Sequence, residues 1–111
     1  VPDPLDIKRA TQAAAVVLQL NGGRAPYAWL LKILYLVDVH FIEQVGDPSG
    51  ISGIVYDCLR SRVAPALWSD FVTQEADDIV LLSPPGDSEL SDFDVETLES
   101  IVAEYPEGAP A

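Results

Sequence analysis

No lysine or arginine follows Arg62, and the chain has one histidine, His40, and one cysteine, Cys58. Each shortage excludes a class of function. A single cysteine leaves no internal disulfide framework and no thiolate metal cluster. With only Arg60 nearby to lower its pKa, Cys58 is expected to be a packed core residue, not a nucleophile. His40 could serve a triad only with a carboxylate behind it. Asp38 lies two positions away, and residues at that spacing do not share a helix face. A partly buried packing histidine is therefore expected, and no catalytic residue. A bilayer span needs roughly 20 apolar residues, and the best stretch, Tyr27 to Val45, is broken by Lys32, Asp38, His40, Glu43 and Gln44. No basic start followed by an apolar stretch is visible, so no signal peptide is expected and the cytoplasm is the expected compartment.

What the sequence does contain is apolar residues and negative charge. At 111 residues with 49% hydrophobic content, it has the length and core of one domain, expected to span 1–111 with a flexible tail at 107–111. The net charge is −12. The basic residues Lys8, Arg9, Arg24, Lys32, Arg60 and Arg62 all precede Val63, and every Lys, Arg, Asp or Glu from there on is acidic. Such a field repels phosphate backbones and anionic lipid surfaces and attracts basic partners. A solvated acidic face that only maintains solubility is the competing reading.

Helical signals dominate. Asp3-Pro4-Leu5-Asp6 reads as a capped start with a capping box, and the helix it opens stops at Asn21-Gly22-Gly23. A second helix is expected from Pro26 to Val45. Its apolar residues cover well over half the circumference, which predicts the central, most enclosed helix. Asp47-Pro48-Ser49-Gly50 and Ser52-Gly53 read as turns, and 54–62 as a short helix or strand. Trp68 to Val72 and Ile79 to Leu82 read as a hairpin, with a helix through Leu67, Trp68, Phe71 and Val72 as the alternative. Ser83 to Asp87 is a loop. Ser91 and Asp94 then form a capping box ahead of a last helix carrying Val95, Leu98, Ile101, Val102 and Tyr105, with Leu90 placed to staple onto Val95 and Pro106 ending it. The expected class is α+β, mainly α: a compact helical domain around a central hydrophobic helix, with a small antiparallel hairpin.

Chemistry-bearing motifs are scarce. Asp77-Asp78 and Asp92/Asp94 lack the spacing of a calcium loop. Gly50-Ile51-Ser52-Gly53 matches a Gly-x-x-Gly phosphate clamp in letters only, having no basic side chain. Trp29 and Trp68 are core or interface anchors rather than base-stacking platforms, given the sign of the charge. No metal and no cofactor is expected. By elimination the residues point to a binding protein, not an enzyme.

The stretch Leu30-Leu31-Lys32-Ile33-Leu34-Tyr35-Leu36-Val37-Asp38, with Gly22-Gly23 before it and Gly46-Asp47-Pro48 after it, resembles the hallmark helix of the Panacea domain, the SocA-like antitoxin family, often encoded beside toxins and in prophages. Glu89 to Asp94, leading to Leu98, Ile101 and Tyr105, resembles that family's terminal helix. Trp68-Ser69 followed by Ile79 to Leu82 is similar to its hairpin. The family's Gly-Pro-Val is replaced by Gly53-Ile54-Val55 or Ser61-Arg62-Val63, and no role is carried over to residues 47–67. The resemblance implies an antitoxin that neutralises a co-encoded toxin by direct contact. A proteolytic adaptor or prophage-associated regulator, which would also bind a protease or unfoldase, is the alternative, and an acidic nucleic-acid mimic is a third.

Two further expectations concern side chains. Lys32, Tyr35 and Asp38 are structural members of the second helix, with Lys32 and Asp38 partly buried and paired, Lys32 to Tyr35. The partner-binding surface is drawn from Asp92, Glu96 and Glu99 on the last helix, with Trp68 and Tyr56 as apolar anchors. Neither nucleic acid nor membrane is an expected partner.

Overall fold

A computed structural model describes residues 3–108, so the expected tail lies partly outside the described residues. Five helices and one three-stranded sheet follow in the order α1 (Pro4–Leu20), β1 (Arg24–Pro26), α2 (Tyr27–Val45), α3 (Ile51–Arg60), α4 (Ala66–Ser69), β2 (Val72–Glu75), β3 (Asp78–Leu81) and α5 (Asp92–Glu104). The class is mainly α with a small antiparallel sheet, as the sequence predicts.

The helix that organises the core is α1, not α2. Asp3 caps it by accepting from Leu5 N at 2.8 Å, and Pro4 occupies its first turn. The return bond expected from Asp6 is not formed among the described residues. Ala10, Ala13, Ala14, Val17 and Leu18 are all buried, and small alanines let neighbours approach on several sides. α1 touches every other helix, together with β1 and β3. It ends at Gly22 (φ 81°) and Gly23 (φ 97°), and this left-handed backbone is open to glycine at little cost. Gly23 N returns to Leu18 O at 2.7 Å while Gly23 O accepts from Leu81 N at 2.9 Å, so the helix stop also places the first strand.

α2 buries one face, through Leu30, Ile33, Leu34, Val37, Asp38 and Phe41. Its outer side stays open: Tyr35 is 61% exposed and Ile42 49%. The expectation of an enclosed central helix is corrected accordingly. Apolar residues all round α2 exceed what α1, α3 and α5 can cover.

Ser52-Gly53, expected to turn, lie inside α3. Gly50 precedes that helix without a side-chain cap. The cap comes from α2 instead. Asp38 Oδ2 accepts from Ser52 N at 3.3 Å and from Ser52 Oγ, and Oδ1 accepts from Ser49 Oγ. A carboxylate at a helix start satisfies orphan N–H groups and meets the positive end of the dipole. This cap lies 14 positions upstream and leaves no local mark in the sequence.

The hairpin exists, but with its first strand moved forward. After Pro65 the chain makes the short helix α4, where Trp68 N and Ser69 N donate to Pro65 O, so Trp68 is helical. β2 and β3 pair from Val72↔Leu81 to Glu75↔Asp78, leaving a two-residue turn at Ala76-Asp77. β1 joins the other edge of β3, Arg24↔Val80 to Pro26↔Asp78, giving the order β1-β3-β2. Ile79, fully buried at the centre of β3, packs this sheet into the core.

Ala76 sits at φ 56°, a conformation that costs an L-residue roughly 1–2 kcal/mol. Glycine removes that cost but adds unfolded-state entropy of about 0.5–1 kcal/mol. Ala76→Gly should therefore raise stability by about 0.5–1 kcal/mol in a denaturant melt. A loss of stability would show that the turn does not hold Ala76 in this conformation.

Candidate functional site

α5 is built as the sequence predicts. Ser91 Oγ accepts from Asp94 N at 3.1 Å, and Asp94 Oδ2 accepts from Ser91 N at 2.9 Å, closing the capping box. Leu98 and Ile101 face the core. α5 runs antiparallel to α2: Phe93 at its start packs on His40 and Phe41, whereas Trp29 Nε1 donates to Tyr105 O at 2.9 Å near its end.

Two shallow depressions lie along this seam. One, about 180 Å³, is lined by His40, Phe93, Glu96, Thr97, Ser100 and Ile101. The other, about 200 Å³, is lined by Leu36, Val39, His40, Glu43, Ile101, Glu104 and Tyr105. Sharing His40 and Ile101, they adjoin as one groove, mainly apolar at the Phe93 end and more polar at the Tyr105 end, with glutamates on its rim. His40 stacks on Phe93 with ring centroids 6.2 Å apart, which is the packing histidine the sequence suggests.

Asp92, Glu96 and Glu99 are all exposed, and their spacing puts them on one stripe of α5 beside the groove. Glu96 belongs to both stripe and groove. Among the described residues the ion pairs are Arg9–Asp94 and Arg24–Asp78, and none involves the exposed acids of α5.

Trp68 is only 4% exposed and cannot anchor a partner; its ring fills the core beside α1 and β2. Tyr56 is exposed on α3, with the Arg60 guanidinium 5.3 Å from its ring centroid, away from the stripe. The exposed apolar side chains that the sequence did not single out as such are Phe93, at the groove, and Tyr35 and Ile42 on the open side of α2. The signal was available: α2 has more apolar residues than one buried face requires.

Of the three residues at the heart of the hallmark-helix pattern, only Asp38 is enclosed. Lys32 is exposed, contrary to expectation, and its ammonium lies 5.5 Å from the Tyr105 ring centroid, not against Tyr35. A lysine on the outer side of α2 keeps its charge hydrated and gains a cation–π contact across the seam. Tyr35 points away from the core into solvent.

A third depression, about 230 Å³, lies between α1, α3 and the segment after α3, lined by Ile7, Ile54, Cys58 and Val63 among others. Burial pushes the Cys58 thiol above its usual pKa, and the neighbouring Asp57 charge adds to the shift. The thiolate is thus disfavoured, the reverse of what a nucleophile needs.

No family model, curated protein or solved structure matches the chain.

The Cys58 shift has a measurable sign. The folded state holds the proton more tightly than the unfolded chain, so this stabilisation is complete below the unfolded thiol pKa and is lost as pH rises through the folded one. Alkylation of Cys58 at mildly alkaline pH should be slower in the folded protein than in denaturant, and Cys58→Ala should remove part of the alkaline loss of stability. Equal alkylation rates in the two states would contradict both burial and shift.

Proposed function

We propose that the chain acts by binding another protein, as an antitoxin that neutralises a co-encoded toxin by direct contact. The observation that carries the reading is the exposed face shared by α2 and α5, where apolar side chains stand beside glutamates that form no ion pair among the described residues, with Lys32 as its one cation. Apolar anchors supply the tight contacts of an interface, and complementary charge raises association rate and excludes wrong partners. Many toxins that act on RNA or nucleotides carry basic active sites, which such a face would cover. The resemblance of Leu30 to Asp38 and of Glu89 to Tyr105 to the Panacea domain supplies the antitoxin part of the proposal.

Catalysis is not part of it. The lone histidine is stacked on Phe93, and the lone cysteine is held protonated by burial. Nor is nucleic-acid binding, since the net charge of −12 opposes the phosphate contacts that supply most non-specific affinity. No helix among the described residues is long and apolar enough to cross a membrane. The cytoplasm remains the proposed compartment.

Co-expression with the adjacent open reading frame, scored by growth rescue and co-purification, tests the proposal. Replacing Asp92, Glu96 and Glu99 together with lysine should slow association with the toxin and flatten its salt dependence while the fold survives. Each is exposed, so the stability change should stay within about 0.5 kcal/mol per site. A folded triple variant that binds at the wild-type rate across a salt series would reduce the acidic stripe to a solvated face.

A further inference from the structure

We infer that the groove between α2 and α5 seats one face of a basic amphipathic helix from a partner protein, with an aliphatic or aromatic side chain lodged over His40, Phe93 and Ile101. This rests on the protein-binding reading above but does not require that the partner be a toxin.

The floor decides the first part of the partner's chemistry. Phe93 is 41% exposed, although its ring packs against both His40 and Phe41. A phenylalanine fixed in that way cannot turn inward to hide itself, so its outer face stays wet until something covers it. Ile101 lies at the base of both depressions, and beyond it Tyr105 lines the more polar end, where the Lys32 ammonium stands 5.5 Å from its ring centroid. Each depression, about 180 and 200 Å³, is by itself smaller than the roughly 300–1,000 Å³ site of a drug-sized ligand, and the two meet at His40 and Ile101. They suit single side chains presented by a larger body.

The rim decides the second part. Glu96, Glu43 and Glu104 stand on opposite walls, from α5 and α2, and none is in an ion pair among the described residues. Lysines or arginines flanking an apolar anchor would find a carboxylate on either wall. Between two parallel walls of helix, the natural occupant is a third helix, whose anchors recur at i, i+3, i+4 and i+7. An anionic segment meets three carboxylates there and one cation, Lys32, at the Tyr105 end.

The depression beside Cys58 competes as a site but lacks this pairing of charge with anchor. Asp57 is its one acidic lining residue, and nothing on its walls selects an occupant.

The test titrates the whole chain, labelled with nitrogen-15, with a synthetic helical peptide of leucine and lysine in amphipathic spacing. A counterpart with glutamate in place of lysine is the control. Chemical-shift changes are expected at His40, Phe93, Glu96 and Ser100, with no response to the glutamate peptide. Ser100 is exposed, so Ser100→Trp fills the groove from outside and leaves the core alone. Blocking a central anchor should lower affinity roughly tenfold, which corresponds to about 1.4 kcal/mol. Glu96→Lys should weaken binding independently, which keeps the proposal open to refutation should the tryptophan variant misfold. Absence of binding, shifts centred on Val63, equal response to both peptides, or binding that ignores Ser100→Trp in a folded variant would each overturn the groove. Groove binding with failed growth rescue would retire the toxin reading alone, whereas growth rescue with shifts elsewhere would retire the groove alone.

Discussion

The guanidinium of Arg9 is the joint on which the arrangement of helices depends. It extends from α1, donates to Asp94 Oδ1 at 3.1 Å and to Ser49 O at 3.4 Å, and lies 5.7 Å from the Phe41 ring centroid. One side chain thereby ties α1 to the start of α5, to the loop leading into α3, and to α2. Asp94 is buried and cannot be left without its cation, since removing one member of a buried pair costs about 3–5 kcal/mol. The partial exposure of Arg9 lowers that figure here. Because Asp94 also closes the capping box, the ion pair sets where α5 begins. Ser49, held by Arg9 through its carbonyl and by Asp38 through its hydroxyl, passes the same constraint on to α3.

Gln12, one turn along α1, does similar work for the loop before α5. It is fully buried and fully used: Oε1 accepts from Glu89 N at 2.8 Å, and Nε2 donates to Ser88 Oγ at 3.2 Å and Pro85 O at 3.5 Å. A buried amide is tolerated only when its hydrogen bonds are made, so it admits one path for that loop. Arg9 and Gln12 together explain how a helix dominated by alanine fixes a distant segment. They deliver α5 antiparallel onto α2, and the groove, its glutamates and the acidic stripe all follow from that placement. The shape of the exposed face thus depends on two polar residues of α1.

Much of this was legible in the sequence where the signals are local. Ser91 and Asp94 predict the capping box, Gly22-Gly23 the stop of α1, and Gly46 the end of α2, because each depends on residues within a few positions. The failures share one cause, which is that the deciding partner lies far along the chain. α3 forms across Ser52-Gly53 because Asp38 caps it from another helix. The hairpin turn at Ala76-Asp77 has no glycine and is set by the pairing of Val72 to Glu75 with β3. Periodicity could count the apolar residues of α2 but could not say which of them neighbours would cover, so the helix read as enclosed although Ile42 and Val45 are exposed. Trp68, read as either a core or an interface residue, stayed undecided for the complementary reason, since nothing local shows that α1 and β2 enclose it. Of the candidate site, the stripe of Asp92, Glu96 and Glu99 was visible and the groove beside it was not.

A double-mutant cycle on Arg9 and Asp94 tests the account at its centre. Arg9→Met and Asp94→Asn are made singly and together, and each is melted in denaturant. If the ion pair holds α5 in place, each single change leaves a stranded partner, and the pair of changes costs less than the sum by about 1–3 kcal/mol. Effects that add to within about 0.5 kcal/mol would show that the two residues act independently and that α5 is positioned by apolar packing alone.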